Sequence, residues 1–75
     1  MEILFFGQLT DITKTSSIQM TEASDLTALK KSLFEKFPAL SASQIMIAVN
    51  NKLVKDNIEL NDTSVVAFRP PYSGG

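Results

Sequence analysis

One stretch of this chain repeats at helical spacing, and the segments around it alternate or run apolar as strands do. Leu26, Leu29, Leu33 and Phe37 recur every three or four residues, with Phe34 flanking the stripe. Lys31 and Glu35 fall on the opposite face. Ser24 or Asp25 stands where an N-cap belongs, and Pro38 stops the helix. A chain of 75 residues makes one domain with one thin core, because at this length only about 60–65% of the extended surface is buried. A single amphipathic helix must then be laid across a sheet, and one helix covers only one face of it.

The strand pattern is legible on both sides. Glu2-Ile3-Leu4-Phe5-Phe6-Gly7 reads as a strand apolar on both faces and ended by glycine. After a polar stretch from Thr10 to Ser17, Ile18 and Met20 alternate with Gln19 and Thr21, which predicts a half-buried second strand and a hairpin with the first. Ile45-Met46-Ile47-Ala48-Val49 is a third strand, Asn50-Asn51 a turn and Lys52-Leu53-Val54 a fourth. Asn61-Asp62 signals another turn before Ser64-Val65-Val66-Ala67-Phe68-Arg69, which Pro70 ends because proline cannot donate to a ladder. The expected fold is α+β: a β-grasp roll, ββαβββ, with a mixed sheet of about five strands and one main helix. Residues 1–69 form the domain and residues 70–75 a flexible tail.

Alternation puts Ile3 and Phe5 on one face of the first strand and Leu4 and Phe6 on the other. In the last strand Val66 and Phe68 oppose Val65 and Ala67. If Phe5 and Phe68 meet the helix, then Leu4, Phe6, Val65 and Ala67, joined by Leu53, form an apolar patch open to solvent beside the root of the tail. Arg69 lies at its margin.

Composition excludes most independent chemistry. There is no Cys and no His, which removes disulfides, the usual zinc ligand sets, cysteine nucleophiles and imidazole acid–base schemes. Gly7 stands apart from the two terminal glycines, so no glycine-rich phosphate loop exists. Seven Lys/Arg are scattered against eight Asp/Glu, which gives no footprint for nucleic acid or membrane. No apolar run approaches the roughly 18 residues that cross a bilayer. Glu2 stands where a signal peptide carries positive charge, so cytoplasmic residence is the expectation.

The chemistry is therefore expected at the tail. Gly74-Gly75 are two of only three glycines, and Gly75 is expected to carry a free carboxylate. Without a Cβ, a partner can close on this backbone from both sides in a narrow channel. The six residues beyond Arg69 reach roughly 20 Å when extended. Pro70-Pro71 stiffens the first part, which lowers the entropy lost on entering a partner. Ser73-Gly74-Gly75 remains thin enough to thread a channel, and Tyr72 is read as a variable spacer.

Phe68-Arg69-Pro70-Pro71-Tyr72-Ser73-Gly74-Gly75 resembles the ending of the small subunits of molybdopterin synthase, a family of ubiquitin-like sulfur carriers. Ile3-Leu4-Phe5-Phe6-Gly7-Gln8-Leu9 is similar to that family's first strand, and Ile47-Ala48-Val49-Asn50-Asn51-Lys52-Leu53-Val54 to its middle hairpin. The resemblance runs end to end and is weakest between Asp11 and Ala23. It implies a cycle on Gly75: an E1-like adenylyltransferase activates the carboxylate with ATP, a persulfide donor supplies sulfur, and a thiocarboxylate results. Pro70, Pro71, Tyr72, Ser73 and Gly74 would then carry it into the large catalytic subunit, where sulfur passes to cyclic pyranopterin monophosphate in molybdenum cofactor biosynthesis. Leu4, Phe6, Leu53, Val65, Ala67 and Arg69 would form the partner interface. The carrier would be non-catalytic, bind no cofactor or metal of its own, and sit in a heterotetramer of two carriers on a large-subunit dimer. Two positions depart from the family pattern: Thr63 where a turn glycine is common, and Arg69 where an apolar or aromatic residue is common. The alternatives are a carrier for thiamine or tRNA thiolation, a ubiquitin-like protein modifier, and a passive interaction module.

Overall fold

The computed structural model describes residues 1–21 and 23–71. Its strands are β1 (Glu2–Phe5), β2 (Ser17–Gln19), β3 (Met46–Val49), β4 (Lys52–Val54) and β5 (Val65–Arg69). They form one sheet in the order β2-β1-β5-β3-β4. Only the central β1–β5 pair is parallel, in register from Glu2↔Val65 to Phe5↔Phe68. The first and last strands thus run side by side, and the chain leaving β5 emerges next to the chain leaving β1.

The long helix, α2 (Leu26–Lys36), starts at Asp25, whose extended backbone lets its carboxylate accept the Ala28 N–H at 2.8 Å. Asn57 supplies a second cap from the distant loop, accepting the Thr27 N–H at 2.8 Å. Leu26, Leu29 and Leu33 are buried, as their spacing requires. Phe37 leaves helical geometry (φ −129°, ψ 80°) because the ring of Pro38 disfavours an α conformation in the residue before it. It still meets Phe5 edge-on, with ring centroids 6.4 Å apart, and Phe5 in turn packs on Phe68 at 5.8 Å. These aromatics sit with Ile3, Leu9, Leu40, Ile47, Val49 and Val66 in one core between helices and sheet.

The β-grasp roll is as the pattern predicts, but it has more helix than expected. The polar stretch after β1 is not a plain hairpin loop: α1 (Leu9–Thr13) interrupts it and buries Leu9 completely. Five residues are too few to display a helical period. Lys14 closes this turn in the left-handed region (φ 63°). A third helix, α3 (Pro38–Ser41), begins on the proline that ends α2, since proline's missing N–H is no loss at a first helical position. It packs against both α2 and α1. Strand β1 is also shorter than read, leaving Phe6 and Gly7 beyond it.

The two turns behave as their residues demand. Asn50 and Asn51 both take positive φ (51° and 71°), the type I′ geometry that matches strand twist in a two-residue hairpin. Asn50 also ties this turn to β5, donating its N–H to the Val65 carbonyl and accepting the Val65 N–H on Oδ1. At the Asn61 turn, Thr63 does not need the glycine freedom that the family pattern implied. Its N–H and hydroxyl both donate to Asn61 Oδ1, at 2.9 and 2.7 Å, and it is absent from the residues with positive φ.

Candidate interaction face at the root of the tail

Sheet register assembles the face opposite the helices. Leu4 lies beside Ala67, Ala67 beside Ala48 and Ala48 beside Leu53, a row crossing four strands. One step nearer the tail, Arg69 stands opposite Met46. Phe6 follows directly after β1 and is held there by its N–H, which donates to the Phe68 carbonyl at 3.0 Å. Among the described residues the helices bury their stripes on the other side, against Ile3, Phe5, Val66 and Phe68. This face consequently keeps large apolar side chains in water: Leu53 is 63% exposed, Phe6 40% and Met46 39%.

The predicted patch therefore exists, with two adjustments. Leu4 and Val65 are half-buried and Leu53, Phe6 and Arg69 exposed. Ala67 faces outward by register yet is buried. A methyl group projects too little from the sheet to escape the longer side chains around it. Met46, absent from the expected set, belongs to the face. The signal was available: once Asn50-Asn51 is fixed as a two-residue turn, Met46 and Ala48 share the face of Leu53 by alternation.

Three contacts shape the tail's root. The Arg69 guanidinium lies over the Phe6 ring, 5.0 Å from its centroid, within the roughly 6 Å range of a cation–π contact. Gly7 has φ +59°, and a Cβ there would stand 2.9 Å from Pro70 Cγ, so the proline ring is seated against the bare α-carbon. Thr10 holds Gly7 from the other side, its N–H and hydroxyl both donating to the Gly7 carbonyl. Beside these contacts is a shallow depression of about 220 Å³ lined by Met46, Ala48, Asn51, Leu53, Arg69 and Pro70. Pro70 and Pro71 are half-buried, while Tyr72, Ser73, Gly74 and Gly75 lie outside the described residues.

Charge on this face is sparse. Its strand positions carry Glu2 at one end and Arg69 at the other, and Lys55, just after β4, borders it beside Met46 and Leu53. Among the described residues no group of three or more Asp or Glu converges on a possible metal position, and no helix is long and apolar enough to cross a membrane. The arrangement leaves apolar side chains exposed on one sheet face, with Pro70 and Pro71 leaving β5 at its edge.

The chain is similar over its whole length to known proteins. Residues 3–75 match the ThiS family. Molybdopterin synthase sulfur carrier subunits of Caenorhabditis briggsae and Caenorhabditis elegans are each 30% identical to the chain over 81 aligned positions, which span all of it and 96% of their own length. The solution structure of small archaeal modifier protein 1 from Methanosarcina acetivorans superimposes with a TM-score of 0.81 at 21% identity, covering 99% of this chain and 94% of that one. At that identity the likeness is one of fold. A chain in the Helicobacter pylori complex of subunits 1 and 2 of molybdopterin-converting factor superimposes with a TM-score of 0.72 at 28% identity, covering 99% and 96%.

Proposed function

The chain belongs to the ThiS family, and we propose that it is the sulfur-carrier subunit of a molybdopterin synthase. The observation that carries this reading is similarity over the whole chain to proteins of that name. An uncovered apolar face at the root of a Pro-Pro-Tyr-Ser-Gly-Gly tail supports it, because a carrier must dock and deliver its terminus at once.

In this reading the folded domain binds and the tail reacts. The Gly75 carboxylate is a poor electrophile, and adenylation by an E1-like adenylyltransferase with ATP gives it a good leaving group. Sulfur from a persulfide donor then attacks the acyl carbon. A C–S bond forms, the C–O bond to AMP breaks, and an acyl disulfide to the donor results. A second thiol then attacks the donor's sulfur and breaks the S–S bond. This leaves a thiocarboxylate on Gly75 and a disulfide between the donor and that thiol. The loaded tail enters the large catalytic subunit, where its sulfur acts as nucleophile toward cyclic pyranopterin monophosphate. Proton transfers fall to the partners, which suits a carrier with no Cys or His.

The missing cysteines make the test clean. Incubate the pure chain with an activating enzyme, ATP and sulfide, alkylate with a thiol reagent, and take intact and fragment masses. Bare sulfur gain is ambiguous, since it nearly matches the mass of oxygen added to a methionine. An ATP-dependent alkyl adduct on Gly75 is the expected result, and the same spectrum checks that Gly75 ends the chain. Gly75→Ala is expected to abolish or strongly slow sulfur transfer with the thermal midpoint unchanged. The absence of an adduct, with an enzyme competent on its own carrier, would defeat the proposal. Isopeptide adducts on target proteins would favour a modifier, a function that shares this fold in the archaeal protein's name.

A further inference from the structure

We propose that Arg69 sets partner choice at the docking face: its guanidinium takes a carboxylate of the large catalytic subunit, next to an apolar partner side chain seated in the adjoining depression. This deepens the proposed function and rests on it. The strand positions of this face are apolar or small across β1, β5, β3 and β4, apart from Glu2 and Arg69. Glu2 pairs with Val65, four residues before Arg69, so the two charges stand about 13 Å apart along the strand. Among the described residues, Arg69 thus has no acid of its own sheet face beside it. Lys55, beyond the end of β4, adds a second cation where Met46 and Leu53 meet, and among the described residues no charge of opposite sign accompanies it there. A base among Phe6, Met46 and Leu53 lacks a matching charge once a partner excludes water, unless that partner supplies one.

Geometry favours a carboxylate as the match. The cation–π contact with Phe6 restrains the Arg69 side chain, so its N–H donors can pair with one carboxylate at little further loss of freedom. The side chain also lines the 220 Å³ depression with Met46, Ala48, Asn51, Leu53 and Pro70. One partner segment carrying an apolar residue and a neighbouring acid fills both positions. Because Pro70 begins the tail, the ion pair forms at the channel mouth, where it fixes the direction of entry. Glu2 at the opposite end makes a reversed docking electrostatically unfavourable.

The test measures affinity of the full chain for its cognate large subunit across ionic strength, by titration calorimetry. Wild-type binding is expected to weaken as salt rises. Arg69→Met, which keeps the apolar stem, is expected to weaken binding roughly 10- to 100-fold at low salt and to flatten the salt dependence. Arg69→Glu weakens it further, and Arg69→Lys keeps the salt slope with only part of the affinity. All three keep the wild-type thermal transition, which shows the losses are not unfolding. Wild-type binding that is tight but insensitive to salt, or an Arg69→Met affinity within twofold of wild type, overturns this inference and leaves the proposed function standing. No wild-type binding at all overturns both.

Discussion

A Cβ at position 7 would stand 2.9 Å from Cγ of Pro70 on a backbone with φ +59°, so glycine here answers two demands at once. Gly7→Ala is expected to lower stability by about 1–2 kcal/mol, read from urea midpoints, with the largest remote amide shifts at Phe68 and Arg69. An unshifted midpoint would mean that the left-handed backbone and the proline relax together without strain. The glycine was readable as a strand end, but its contact with Pro70 was not: the two meet only because β1 and β5 pair in parallel at the centre of the sheet. Arg69 gives the same lesson. Its departure from the family pattern was visible, whereas its cation–π contact with Phe6 depends on that same pairing.

Among the elements, α2 was the most legible, because eleven residues hold enough turns to show a stripe and Asp25 caps it locally. Its second cap was hidden, since Asn57 reaches Thr27 from thirty residues away and nothing in its neighbourhood marks it. The same loop bonds Leu26 N–H to Ile58 and Leu60 N–H to Ser24, pinning residues 57–60 to the helix start. Asp25→Ala is expected to destabilise by about 1 kcal/mol, and Asn57→Ala by less, because its bond is more exposed. Hydrogen exchange separates the two: the first speeds exchange at Ala28, the second at Thr27. Equal acceleration at both amides in either variant would show that the caps fray as one unit. The short helices α1 and α3 were missed for a common reason. Each is a single turn made helical by what it packs on, Leu9 and Leu40 being fully buried, and not by periodicity or propensity.

For the molecule as a whole, strand alternation separates stability from recognition. In β5, Val66 and Phe68 enter the core while Val65, Ala67 and Arg69 belong to the open face, so one strand serves both. That division was legible because a period of two, together with one helix, leaves one sheet face without cover. The reach of the face across β3 and β4 was less so, since Met46 and Leu53 join it only through exact turn register. The separation has a measurable consequence. A domain this small holds only about 3–5 kcal/mol of net stability, and Phe68→Ala removes about 3–5 kcal/mol of core packing. Phe68→Ala should therefore populate the unfolded state heavily near room temperature, seen as loss of the cooperative thermal transition. Leu53→Asp replaces a side chain already mostly in water, so its thermal midpoint should stay within a few degrees of wild type. It should nonetheless bind the large subunit at least tenfold more weakly, because a carboxylate would be buried in an apolar contact. If Leu53→Asp instead unfolds the chain, the outer face is part of the core. If it folds and binds normally, the partner docks elsewhere and the open face needs another explanation.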